Sequence, residues 1–555
     1  MMLKQQFLNT FFISFLLGIN ACSTVDKTDK AQPSGLTALE CSGTEHYQPL
    51  REPPSITAVN KIQTDLSARS VYKCVNGKAI KLQSYIDTQA GTDNRPIGPA
   101  YILHVNAKKP GPILRIKLSN QLGDSNKTYD CGHHGKDIKV CTNLHTHGFH
   151  VSPKGSDDPS VVQSDYVFIK ITPATPPVQY QYDIPADHAP GTHWMHAHLH
   201  GSTAPQVKNG MAGALILKGE LDKTLATEYG IRGEKDKIML LTQMSTDEDP
   251  VPCGKDENGD DITTAINGQC LPSITIRAGD VQRWRFIHAG VSETIHLALK
   301  FSDGRKQTLN EFARDGITLN GIQRQKNITL QPGYRSDVLV QFTPEQCHSF
   351  PCELYLIDDA SEARSSLLGI AESYKKIAKI IIIANNKTTM RMPPSSVFTN
   401  PYPWICEPSD FESCSKRLQE KIVQFATLDN DSGGADFTVN NYVYPDTPVG
   451  TPIGPPVQQL RLNNKNTWKL WVGEKQTSVA SHPFHIHVNP FQLIDEKGFS
   501  YWKDTLLVSV DKNKGRENAL TVLSHYEDFD GRFVLHCHNL NHEDKGMMMD
   551  VVITK

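Results

Sequence analysis

The sequence predicts an all-β chain of several domains, on three observations. Short apolar runs of strand length recur along it, bounded by Gly, Pro and Asn. Long helical periodicity is absent from residues 221 to 370. Four short histidine clusters fall near the ends of expected strands, two in the first part of the chain and two in the last. That arrangement is expected of related β-sandwich units that meet across an interface. The 555 residues suffice for two or three domains. Hydrophobic content of 38% and charge of 21% fit a globular protein. The 57 basic and 60 acidic residues nearly balance and form no basic block, which argues against a nucleic-acid partner.

The first 22 residues read as a processing segment. The apolar run Phe7 to Ile19 is short for a membrane span. It ends in Ile19-Asn20-Ala21-Cys22-Ser23, which resembles a bacterial lipoprotein signal. Lipidation at Cys22 or plain cleavage means export, and so does a retained anchor with the body outside. The expected location is the periplasmic face of a membrane, or soluble in the periplasm or medium. Residues 23 to 40 form a polar tether. Setting Cys22 and Cys537 aside, ten of the 12 cysteines remain. An even number in an exported chain suggests disulfides, and four close pairs suggest bonding between neighbours.

Residues 41 to 220 are the first expected domain. Tyr101 to Val105 and Gly111 to Leu118 read as strands, the second alternating apolar with basic residues. Next come Asn143-Leu144-His145-Thr146-His147-Gly148-Phe149-His150 and Gly191-Thr192-His193-Trp194-Met195-His196-Ala197-His198-Leu199-His200. Spacing of two puts His145 and His147 on one side of an extended chain, and likewise His196, His198 and His200. Residues 221 to 370 hold strand-like runs but no ligand cluster, so a structural second domain is expected. Residues 371 to 555 comprise a connector, with a strand near Ala378 to Ala384, and a third domain. That domain carries His482-Pro483-Phe484-His485-Ile486-His487 and His536-Cys537-His538-Asn539-Leu540-Asn541-His542-Glu543-Asp544-Lys545-Gly546-Met547.

These residue types point to copper. Two imidazoles, a thiolate and a thioether are the ligands of a blue electron-transfer copper. Cys537, His542 and Met547 supply three of them, and His482 is the natural fourth because Pro483 sets it apart from His485 and His487. On a strand His536 and His538 point away from Cys537, toward a second site. Eight histidines then remain, two from each cluster, and suit a group of three metals. Structural zinc prefers four firm ligands in a closed tetrahedron. Iron–sulfur clusters would need more cysteines. A simple electron carrier, or a surface adhesin, would leave the eight histidines unexplained.

With all four motifs in order, the chain resembles the multicopper oxidases, the family of laccases, ascorbate oxidases and bilirubin oxidases. The resemblance implies three cupredoxin-like Greek-key β-sandwich domains and four copper ions. It places the type 1 copper on His482, Cys537, His542 and axial Met547, and the type 2 copper on His145 and His485. It places the type 3 pair on His147, His196, His198, His487, His536 and His538. It further implies one-electron oxidation of a small reducing substrate at the type 1 site. Cys537 would carry the electrons on to the cluster, where dioxygen is reduced to water. Asp157 or Asp158 resembles in placement the acid that serves the cluster.

Departures from the family pattern fall at Met195, Ala197 and the run Val488-Asn489-Pro490-Phe491, where Gly-His-x-Phe is usual. His150 and His200 are extra and are expected to be hydrogen-bonding partners. No methionine-rich insert marks a cuprous-ion oxidase. A laccase-like phenol or aromatic amine oxidase is therefore the leading expectation, and a metallo-oxidase for Cu(I), Fe(II) or Mn(II) the alternative.

Overall fold

The computed structural model describes residues 46–555, apart from 76–77, 92–94, 107, 133, 157, 159, 246–252, 257–258, 260 and 445–456. The expected leader, Cys22, the tether, Cys41 and Asp157 lie outside the described residues. Among the described residues no helix is long and apolar enough to cross a membrane. The fold is all-β. Six sheets pair into three cupredoxin-type sandwiches, built from strands within residues 55–218, 236–383 and 419–554.

Each sandwich closes over its own apolar core, including Leu66, Leu114 and Tyr180 in the first, Trp284, Phe286 and Leu356 in the second, and Phe425, Leu470 and Phe533 in the third. Every such side chain contributes roughly 1.5–3 kcal/mol by leaving water. Alternation works as expected in Ile113–Gln121, where exposed and buried positions interchange. Crossovers place strands distant in sequence side by side. Ala212–Lys218 pairs parallel with Ala100–His104 and antiparallel with Gly191–His196.

Two expectations need correction. Lys375–Ile383 does not belong to a connector. It pairs with Ser273–Arg277 and Cys352–Asp358, inside a sheet of the second sandwich. The long strand Lys61–Val75 escaped sequence reading altogether. Its inward positions include Thr64 and Ala68 beside Ile62 and Leu66, so its apolar alternation is weak.

Neighbouring cysteines do bond: Cys131–Cys141, Cys253–Cys270, Cys347–Cys352 and Cys406–Cys414. Cys537 is the free cysteine among the described residues.

One buried acid in the second sandwich makes stability pH-dependent. Asp358 accepts from His296 N at 2.7 Å. Burial pushes its carboxyl up to about 7, and Glu372 adds to this against the pull of the His296 bond. An unfolded Asp titrates near ~3.9. Between these values the native state holds the extra proton, so stability falls as pH rises from about 4 to about 7. Asp358→Asn keeps the acceptor and removes the charge. It should stabilise the fold at pH 8 by about 2–4 kcal/mol and change little at pH 4. Urea denaturation at the two pH values checks this, and equal effects at both would exclude it.

Candidate copper centres

The third sandwich builds a mononuclear site from one strand, one adjoining strand and the turn that follows. His482–Ile486 pairs antiparallel with Gly531–Cys537, with Phe484 opposite Cys537 and His485 opposite His536. Cys537 therefore faces the sandwich core while His536 faces out of it. After Cys537 the chain makes the single helical turn Leu540–Glu543, which carries His542 back toward the thiol. Cys537 Sγ lies 3.6 Å from His482 Nδ1 and 3.8 Å from His542 Nδ1. The two Nδ1 atoms are 3.3 Å apart. Met547 shares the apolar core with Cys537, and Cys537 N donates to Met547 O at 3.0 Å. The ring of His482 is oriented by Gln476. Its Nε2 donates to Gln476 Oε1 at 2.7 Å, which leaves the Nδ1 lone pair for a metal. Burial pushes the Cys537 thiol well up, so a metal has to displace its proton.

The eight remaining histidines meet between the first and third sandwiches. His145–His147 pairs with Gly191–His196 so that His145 stands opposite His196. Across the interface His487 stacks on His145 at 3.9 Å, and His485 on His147 at 3.9 Å. His538 Nε2 reaches 3.3 Å from His147 Nδ1, and His198 Nε2 reaches 3.2 Å from His536 Nε2. Three groups have ligand atoms within 4.8 Å of one another: His145, His485 and His487; His145, His147 and His196; and His198, His487 and His536. Met195 and Ala197 turn into the first sandwich core, so these departures leave the ligands untouched.

This donor set fits metal ions. Burial, reinforced by the neighbouring imidazoles, holds His145, His147, His196 and His536 well below their ordinary range, hence neutral. The Nδ1 atoms of His145, His196 and His485 are engaged by Asp165, Ala197 O and Asp504 O. Their Nε2 atoms are buried and have no hydrogen-bond partner. An unsatisfied buried polar atom costs about 1–3 kcal/mol. Several of them converging on one space suit cations.

Of the two expected acids, Asp157 lies outside the described residues and Asp158 stands away from the histidines. Asp158 is exposed, and its carboxylate accepts from Ser160 N and Oγ at 2.9 and 2.7 Å. It does not reach the cluster. Asp165 does, with both oxygens 2.9 Å from His145 Nδ1. Ser164, at φ 64, turns the chain so that Asp165 points inward, a feature that spacing alone does not reveal. Asp504 lies 3.2 Å from His147 Nε2 and is gripped by Arg335. Burial alone would raise its carboxyl, but the guanidinium holds it below the usual range. Glu543 stands 3.4 Å from His536 Nδ1 and 3.6 Å from His198 Nδ1. Burial, and Asp544 beside it, push Glu543 well up. The signal for Glu543 lay in the sequence, one position after His542. Gly148, at φ 86, is obligatory here because a Cβ would strike Arg335, Asp504 and His193.

Fold and donor sets together define a copper protein with a Cys-His mononuclear site joined to a multi-histidine centre. Two family models, each described as multicopper oxidase, match residues 87–222 and 429–555. A multicopper oxidase of Staphylococcus haemolyticus is 23% identical over 492 residues, covering 87% of this chain and 88% of its own. In fold the chain is similar to a multicopper oxidase of Aquifex aeolicus (TM-score 0.68, 17% identity, 92% of this chain and 100% of that one). It is also similar to a Campylobacter jejuni multicopper oxidase described as a metallo-oxidase (TM-score 0.63, 20% identity, 92% and 96%). The chain belongs to the multicopper oxidase family.

Proposed function

We propose that the chain is a laccase-like oxidase that takes single electrons from phenolic or aromatic amine donors and uses dioxygen as acceptor. In this reading it holds a type 1 copper on His482, Cys537, His542 and Met547, a type 2 copper on His145 and His485, and a type 3 pair on the other six histidines. Copper bound there supplies one-electron uptake at the first site and four-electron reduction of dioxygen to water at the second. One observation carries the reading: Cys537 faces the mononuclear site while its covalent neighbours His536 and His538 face the cluster.

The protein's own groups divide the remaining work. Asp165 and the Asp504 carbonyl fix the tautomers of His145 and His485, presenting their Nε2 atoms. Asp504, pinned as an anion by Arg335, cannot readily give up or take a proton. Glu543 is held neutral by burial, and its Oε2 has no hydrogen-bond partner beside His536, so it is suited to deliver a proton. Beside the mononuclear site an aromatic ring lies under a cation, Lys545 Nζ standing 5.0 Å from the Phe437 ring. Phe437 packs 4.8 Å from the His542 ring. Val479, three residues before His482, lies close to Gly369, and Val479 and Ile370 are 64% and 62% exposed. The Phe437 ring and the two exposed aliphatic side chains support an aromatic donor. The metallo-oxidase alternative draws on a cavity of about 940 Å³ against the His542 helix, lined in part by Asp130, Asp436 and Asp544. The disulfides Cys131–Cys141, Cys253–Cys270, Cys347–Cys352 and Cys406–Cys414 support an exported, oxidising location.

The test is oxygen uptake by copper-loaded protein given dimethoxyphenol, Fe(II), Mn(II) or Cu(I). Turnover is expected with the phenol. Saturable turnover with a metal ion alone would favour the alternative, and no uptake with any donor despite full copper loading would exclude an oxidase.

A further inference from the structure

Val488 follows His487 and stands at φ 61. Glycine favours that region, and a β-branched residue there is a rare outlier. The turn is tight, with Asn489 N donating to His487 O at 2.9 Å. The Val488 side chain is ordinary buried core and does not itself call for such a backbone. The turn is gripped from outside, by a residue of the first sandwich.

That residue is His150, which crosses the interface three positions after His147. Its Nδ1 lies 3.1 Å from Val488 O and 3.1 Å from Asn489 Oδ1. Its Nε2 lies 2.6 Å from Asp528 Oδ2. Its backbone N donates to His188 Nε2 at 2.8 Å, which fixes where the ring starts from. The Asn489 amide is also fixed, because its Nδ2 donates to His525 O at 2.9 Å. Every atom named that faces the two ring nitrogens is therefore an acceptor. The charged and titratable groups around this ring are Asp187, His188, Lys465, His525, Glu527 and Asp528, on an open cavity of about 460 Å³.

We propose that His150, clasped by Asp528, is a positioning residue that ties the first sandwich to the Val488 turn and so holds His487 in register with His145. The proposal rests on the copper reading above. His487 both stacks on His145 and approaches His198 and His536, so a shift of this turn would open two of the three histidine groups.

The experiment uses the full copper-loaded protein and the variants His150→Phe, which keeps a ring but no donor, and Asp528→Asn, which weakens the outer clasp. Readouts are copper per chain, the blue absorption of the Cys537 site, the paramagnetic resonance signal of the non-blue copper, and amide hydrogen exchange at residues 487–489. In His150→Phe, cluster copper retention is expected to fall about 10–100-fold. The non-blue signal should change, the blue absorption should stay, and exchange at Asn489 should speed up. Asp528→Asn should show the same pattern more weakly, and it carries the test if His150→Phe does not fold. Wild-type copper retention and signal in both variants would overturn the proposal, and so would faster exchange with the cluster unaltered. If the wild-type protein itself takes up no cluster copper, the copper reading fails. Exchange at Asn489 then still decides whether the clasp holds the turn.

Discussion

Cys537→Ser is expected to abolish the blue colour and reduce turnover to the blank. Serine nearly matches cysteine in shape, so the change is chemical. A soft thiolate gives a blue copper its character and its covalent link to the metal. A hydroxyl ionises far less readily than a thiol, and this burial already opposes forming an anion. The variant would therefore lose the mononuclear copper, or hold it weakly and without colour. The cluster ligands are not altered, since His536 and His538 face the other way and are held by their own partners. One copper fewer per chain is expected, with the non-blue signal retained. A buried hydroxyl among apolar neighbours also costs about 1–3 kcal/mol if it finds no partner. Denaturation midpoints must accompany the activity assay, to separate lost chemistry from lost folding. Persistence of both the blue band and turnover would show that Cys537 is not the ligand.

The side-chain faces of this centre were legible because they follow from local geometry. A period of two places His536 and His538 opposite Cys537, and it places Met195 and Ala197 away from the histidines between which they lie. The structure reproduces both arrangements. The supporting groups were not legible, because they are set by turns and by contacts between sandwiches. Asp165 reaches His145 only through the turn at Ser164. Arg335 lies far from any ligand in sequence and reaches the site because the second sandwich packs against the other two. Fold was legible where strands alternate strongly, as in Ile113–Gln121, and not where small or polar residues point inward, as in Lys61–Val75. The second sandwich, expected to be merely structural, provides the cation that anchors Asp504 beside the cluster.

That anchor leads to the second large effect. Arg335→Met is expected to cost about 3–5 kcal/mol of stability. The Arg335 guanidinium is completely buried and uses every donor it has. Nη1 and Nη2 bind the two Asp504 oxygens at 2.7 and 2.5 Å. The same atoms donate to Gly333 O and Asp315 O at 3.0 and 2.8 Å, and Nε donates to Thr192 O at 3.2 Å. Those partners come from all three sandwiches. Methionine fills much of the volume but leaves Asp504 as a buried anion without its counter-charge, and three carbonyls without this donor. Removing the charge as well should recover part of the loss, so Arg335→Met/Asp504→Asn is expected to be more stable than Arg335→Met alone. Activity should not recover, because Asp504 also touches His147. The sign with pH follows from the pair. The folded carboxyl of Asp504 sits below its ordinary value, so the pair stabilises above about pH 4 and less as pH falls further. The gap between wild type and Arg335→Met should therefore be widest near neutrality and shrink in acid. Urea titrations of the copper-free proteins across that range decide the matter. A gap that does not vary with pH would mean that Arg335 acts by packing, not as the counter-charge of Asp504.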